Sequence, residues 1–276
     1  MTQGRCRGPV LSALLGSAVS TALAQRLTDH SRGEHRRWLR ENHAGRSVTL
    51  LEGVWCVCGT TSTLTWLDPA GAVIALGAGL TGAYDDLHPD AERKGLKGHL
   101  SALLRGEVSP GALKIVGLLG TGVIGALCAG RRPPLEVALD ASVVAASANM
   151  MNLLDLRPGR ALKVAVAVAV PLLLPPLLSA GACDVAKGAG AAAALGAAAV
   201  LLPEDLAGRT MLGDTGANSL GALLGHAATQ GSRGRRVALL AALAAGTLLS
   251  ERVSFSAVID ANPVLRALDH WGRTSG

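Results

Sequence analysis

Three short segments hold the side chains in this sequence whose types and spacing could do chemistry. The first is GAYDDLHPDAERKGLKGHL, residues 82–100. Asp85 and Asp86 close an apolar run, and Lys94, Lys97 and His99 follow in the same loop. Adjacent carboxylates at a membrane boundary are costly unless cations meet them. The segment therefore offers a carboxylate pair beside phosphate-seeking cations. The second is ANMMNLLDLRPGR, residues 148–160, where Asn149, Asn152 and Asp155 are three apart and share a helix face. Three polar groups in register at the end of a span read as a site, where one Asn alone would read as an interhelical hydrogen bond. The third is RTMLGDTGANSLGALLG, residues 209–225, with Asp214 between Gly213 and Thr215 at the start of a small-residue helix. A carboxylate there can cap the helix. It can also hold Mg2+, which takes one or two carboxylates plus substrate phosphates.

These segments must be positioned by membrane helices. The 276 residues are 49% hydrophobic and only 17% charged, against roughly 25% charged in soluble domains. Aromatics are 2%, so helices must pack through Ala, Gly, Leu and Val, as small residues allow in lipid. A spanning helix needs ~20 mostly apolar residues. The expected spans lie near 8–25, 48–66, 69–84, 110–129, 134–154, 161–182, 186–202, 213–229 and 236–255. The fold class is thus an all-α polytopic bundle of about nine spans, one integral membrane domain over 1–276. The sixth span carries Pro171, Pro175 and Pro176 and is expected to kink. The first apolar run is read as a retained span instead of a signal peptide. Val264, Leu265, Leu268 and Trp271 recur at helical spacing, which predicts an amphipathic interfacial tail over about 257–276.

Loop charge sets orientation. Alternating loops put 18 of the 26 Lys and Arg on one side and eight on the other. The richer side is then cytoplasmic, with the N-terminus outside and the C-terminus inside, and all three segments fall on it. Arg233, Arg235 and Arg236 sit on the wrong side, as a missed or extra late span would explain. The net charge of +6 is accounted for by these loops, so no nucleic-acid partner is expected. The five Cys show no CxxC spacing and read as small packing residues.

Together, GAYDD at 82–86, NMMNLLD at 149–155 and LGDTG at 212–216 resemble the polyprenyl-phosphate N-acetylhexosamine-1-phosphate transferase superfamily. That superfamily includes phospho-N-acetylmuramoyl-pentapeptide transferase and undecaprenyl-phosphate GlcNAc-1-phosphate transferase. The resemblance runs over about residues 40 to 255, and the third segment with Ser219-Leu220-Gly221 is its most specific part. It implies a multi-pass enzyme of the bacterial plasma membrane, active on the cytoplasmic face in cell-envelope glycan and peptidoglycan synthesis. It implies Mg2+ on Asp214 and Asp86, with Asp85, Asp86 and Asp214 catalytic. It further implies a UDP-sugar site formed by Asn149, Asn152 and Asp155, with Lys94, Lys97, His99 and Lys114 on phosphates. Polyprenyl phosphate would accept the sugar phosphate and UMP would leave. A homodimer is compatible with the resemblance.

The sequence also departs from the family pattern. The second segment continues as Asp155-Leu-Arg-Pro-Gly159, with Pro158 where a second acid is usual. An early Thr-Pro-Thr-Met-Gly-Gly element reads Thr49-Leu-Leu-Glu-Gly53, and in place of a late His cluster stands a lone His270. A catalytically impaired relative serving as a binding or scaffold protein is therefore the alternative. A transporter would also place ionisable groups in spans, but the halves show no repeat.

Overall fold

The computed structural model describes residues 7–29, 36–42, 45–88, 110–130, 132–178 and 186–273. Helices stand where all nine spans are expected. They are α1 (Arg7–Asp29), α2 (Leu51–Leu67), α3 (Pro69–Leu87), α4 (Pro110–Cys128), α5 (Pro134–Leu154), α6 (Arg160–Leu178), α7 (Ala186–Leu206), α8 (Gly213–Ala228) and α9 (Arg233–Ser250). Two short helices follow, α10 (Phe255–Ala261) and α11 (Pro263–His270). A small hairpin, β1 (Leu39–Glu41) antiparallel to β2 (Ser47–Thr49), precedes α2.

Local chemistry sets the boundaries. Asp68 leaves the helical region between α2 and α3, its side chain accepts from Gly71 N–H, and Pro69 opens α3. That combination of cap and N-terminal Pro stops one helix and starts the next within a residue. Pro134, after Pro133, also opens α5, there with no side-chain cap. Pro171, Pro175 and Pro176 lie inside a continuous α6.

By length and apolar composition, α1, α4, α5, α6 and α7 can each cross a membrane, and α9 with α10 adds a sixth if that pair, bent by 90°, counts as one span. The chain is thus a multi-pass helical membrane protein by this measure, with five or six candidate spans among the described residues. Helices α2 and α8, at 17 and 16 residues, are too short to pass the same test. Helix α1 belongs to the bundle: Val10 and Ala13 are buried, and Ser17 Oγ donates to Ala193 O of α7 at 2.8 Å.

Helix α8 is the axis of the bundle. Every residue from Thr215 to Ala227 is buried, as expected of a helix enclosed on all sides. Its small residues allow this. A Cβ on Gly221 would meet Ser147 and Ala148 of α5, and Ser219 Oγ donates to Ala75 O of α3 at 2.9 Å. Helix termini gather at both ends of the bundle.

At one end, Arg236 of α9 is paired with Asp140 at 2.6 Å and with Glu136, both on α5, while Arg132 reaches Asp140 at 2.5 Å. Arg233 lies 3.5 Å from Glu136. These ion pairs give two of the three late arginines, Arg233 and Arg236, carboxylate partners. His226 and Asp68 also meet at this end, at 3.5 Å and both buried.

Candidate functional site

The other end gathers the chemistry-bearing segments. Asp85 and Asp86 terminate α3, Asp214 begins α8, Lys114 lies in the first turns of α4, and Asp155 follows α5. Helix α3 packs so closely on α8 that a Cβ on Gly82 would strike the backbone carbonyl of Asp214. That contact brings GAYDD against LGDTG, 128 residues further along the chain.

Asp85 and Asp86 do different things. Asp86 turns inward. Its Oδ1 accepts from Asp214 N–H at 3.1 Å, and its Oδ2 accepts from Thr215 N–H at 2.9 Å and from Thr215 Oγ1 at 2.6 Å. It therefore caps α8 from a different helix, satisfying orphan N–H groups with a negative charge at the positive end of the helix dipole. Gly213 makes the geometry possible: its φ is +61°, and a Cβ there would press on the Asp86 carboxylate. Arg40 of the hairpin donates to the Asp86 carbonyl. Met211 N–H donates to Thr49 O at 3.0 Å, so the hairpin and the segment before α8 are stitched together at an isolated bridge between Thr49 and Thr210.

Asp85 points the other way, beside Asp214. The Lys114 ammonium lies 3.2 Å from Asp85 Oδ2 and also contacts Asp214 Oδ2. One cation thus touches both carboxylates, which are partly exposed, at 18% and 27%. Lys94, Lys97 and His99 lie outside the described residues.

The second segment is split by the structure. Asn149 Nδ2 donates to Thr247 Oγ1 of α9 at 3.1 Å, and Asn152 is half-buried on α5. Asp155 ends the helix, with ψ at 41°, and its carboxylate swings under α8 to accept from Gly213 N–H. Asp155 is buried. Burial, and then the nearby Asp205 carboxyl, push Asp155 well above the usual carboxylate range, against the opposing Gly213 hydrogen bond. Asn149 and Asn152 share α5, but Asn149 and Asp155 spend their bonding on other helices.

A group missed by the sequence reading lies behind Asp155. Glu52 of α2 is wholly buried, with Asp205, Asp155 and the Thr210 hydroxyl as neighbours. Neither Glu52 oxygen has an aligned hydrogen-bond partner. Asp205 Oδ2 accepts from Gly159 N–H at 3.1 Å. The available signal was a lone Glu in an apolar run, at Thr49-Leu-Leu-Glu-Gly53.

A half-open apolar cleft of about 780 Å³ runs between α5, α6, α8 and α9. Leu154, next to Asp155, lines it together with Met150, Met151, Val168, Leu172 and Leu243.

Among the described residues, no three His, Cys, Asp or Glu side chains converge as a complete metal site. Mg2+ needs no such cage, since it binds through one or two carboxylates and completes its shell with waters and phosphates. Asp85 and Asp214 fit that mode, because the Lys114 ammonium already reaches both. Asp86 fits it less well, with both oxygens engaged on α8. The thiols of Cys56, Cys58 and Cys128 are free and take no part. In comparison with known proteins, the chain matches no family model and no curated protein.

Proposed function

We propose that the protein transfers a sugar-1-phosphate from a UDP-N-acetylhexosamine-type donor to polyprenyl phosphate at the cytoplasmic face of a bacterial plasma membrane. The observation that carries this reading is the convergence of Asp85, Asp214 and Lys114, with Asp86 locking Asp214 in place. Two anionic phosphates must meet in this reaction, so the site must cancel negative charge. Mg2+ held by Asp214 and Asp85 would supply most of that cancellation and polarise the transferred phosphoryl group. Lys114, drawn off the carboxylates, would meet a phosphate oxygen. Asp86 positions Asp214. An oxygen of the lipid phosphate bonds to the β-phosphorus of the donor, the bond from that phosphorus to the bridging oxygen breaks, and UMP leaves with the electron pair. The apolar cleft starting at Leu154 suits an isoprenoid chain whose phosphate sits at the bundle end.

The second reading, a binding or scaffold protein, is favoured by the second segment. Asn149 and Asp155 are occupied by Thr247 and Gly213 instead of facing an open nucleotide pocket. Purified protein in nanodiscs, given polyprenyl phosphate, Mg2+ and a panel of UDP-sugars, separates the two. UMP release that requires both Mg2+ and lipid phosphate supports the transferase. Zero turnover across the panel with UDP-sugar binding intact sinks it and supports the scaffold.

A further inference from the structure

Helix α11 is built inside out. In α11 the buried residue is Asp269, while Val264, Leu265, Leu268 and Trp271 are exposed, Trp271 at 74%. Val258 of α10 is exposed as well. A helix that packs its charge inward and shows its apolar face outward is not arranged for water.

The inward charge is held by a clamp. Arg160, the first residue of α6, donates from Nε to Asp269 Oδ1 at 2.8 Å and from Nη2 to Oδ2 at 3.1 Å. Its Nη1 donates to Ser256 Oγ of α10 at 3.0 Å. Arg273 reaches Asp269 Oδ2 at 2.7 Å and Pro158 O at 3.0 Å. Lys163 Nζ donates to the carbonyls of Leu268 and Asp269 at 3.1 and 2.8 Å. Burial by itself would raise the Asp269 carboxyl, but Arg160 and Arg273 hold it below the usual range. The clamp grips the turn between α5 and α6, the same turn that carries Asp155 and whose Gly159 N–H binds Asp205.

Geometry says what covers the apolar face. Helix α10 runs at 90° to α9, so it lies along the bilayer surface if α9 crosses the membrane. Helix α11 touches the first turn of α6, a helix long and apolar enough to span. Residues 251–273 balance Arg252, Arg266 and Arg273 against Glu251, Asp260 and Asp269. Attraction to anionic lipid is therefore not needed, and apolar burial is the driving term.

We propose that α10–α11 is a bilayer-surface strap. Lipid covers the Val264, Leu265, Leu268 and Trp271 face, and the Asp269–Arg160 clamp carries that attachment to the 155–160 turn. This goes beyond the transferase reading and does not depend on turnover. The test uses the full chain in nanodiscs of phosphatidylcholine brominated near the headgroup, taking the Trp271 share of emission as wild type minus Trp271→Phe. That share should be quenched by bromolipid, resist aqueous iodide, and not change when anionic lipid is added. Emission open to iodide and blind to bromolipid overturns the strap, and would leave a protein partner to cover the face. Amide exchange at Gly159 and Arg160 tests the coupling. Asp269→Asn, and separately Leu265→Asp with Leu268→Asp, should each speed it about tenfold while α4 stays protected. Unchanged exchange at Gly159 and Arg160 in these variants overturns the coupling.

Discussion

Asp86→Ala should unfasten the N-terminus of α8. The substitution removes three hydrogen bonds, at 3.1, 2.9 and 2.6 Å. Two of these leave backbone N–H groups buried. Hydrogen bonds to a charged group contribute about 1.5–3 kcal/mol each, and an orphaned buried donor costs about 1–3. The terms overlap, and removing a nearly buried carboxylate recovers part of its own desolvation, so the net loss is about 3–4 kcal/mol. At about 2–4 °C per kcal/mol for chains near this size, the melting temperature in one fixed detergent should fall roughly 6–16 °C. Asp86→Asn keeps one acceptor but turns an NH2 toward the N–H groups, so it should lose about half as much. Asp85→Ala is the control. Asp85 lies at the partly exposed rim, beside Lys114 and Asp214, where ion pairs contribute about 0–1 kcal/mol; it should melt close to wild type. On the transferase reading both alanine variants lose UMP release, but only one loses stability. If Asp86→Ala melts with wild type, Asp86 does not anchor α8, and its assignment as a positioning residue fails.

Gly82→Ala should be as damaging as a large core change, because its Cβ would strike the Asp214 carbonyl and backbone cannot yield as a side chain can. A cost of about 2–3 kcal/mol, read as a fall in melting temperature, is expected, and a melt equal to wild type would contradict the close α3–α8 contact. Arg236→Ala strips a cation from Asp140 and Glu136. The loss should be about 2–3 kcal/mol, below the full value for breaking a buried pair, since Arg132 remains on Asp140. Asp140→Asn in the same background should recover part of it, and no recovery would argue against this pairing. Asp155 gives a pH signature. Its carboxyl is raised in the fold, so the native state binds its proton more tightly than the unfolded chain does. Stability must then fall as pH rises above the unfolded value of about 4. Asp155→Asn should flatten that decline between pH 5 and 8 in thermal melts; an unchanged slope assigns it to another group.

The sequence by itself determined the helices and the three segments. Hydrophobic runs of membrane length, Pro at helix starts and Asp68 as a cap are local signals, and the nine helices fall close to where those signals place them. The division of labour between Asp85 and Asp86 was not legible, because both sit at the end of one helix. Only the approach of α8, permitted by Gly82 and Gly213, turns one carboxylate into a cap and leaves the other at the rim beside Lys114. The periodic Asn149, Asn152 and Asp155 promised one polar face. The tertiary structure broke it up, because α5 ends at Leu154 and Asp155 bonds the Gly213 N–H of α8. The late arginines looked misplaced in a count of loop charge, a sum that carries no distances. The partners of Arg233 and Arg236, Glu136 and Asp140, lie about 100 residues away in sequence. Local periodicity fixes where a helix forms, but which of its polar groups are spent inside the bundle depends on which other helix arrives beside them.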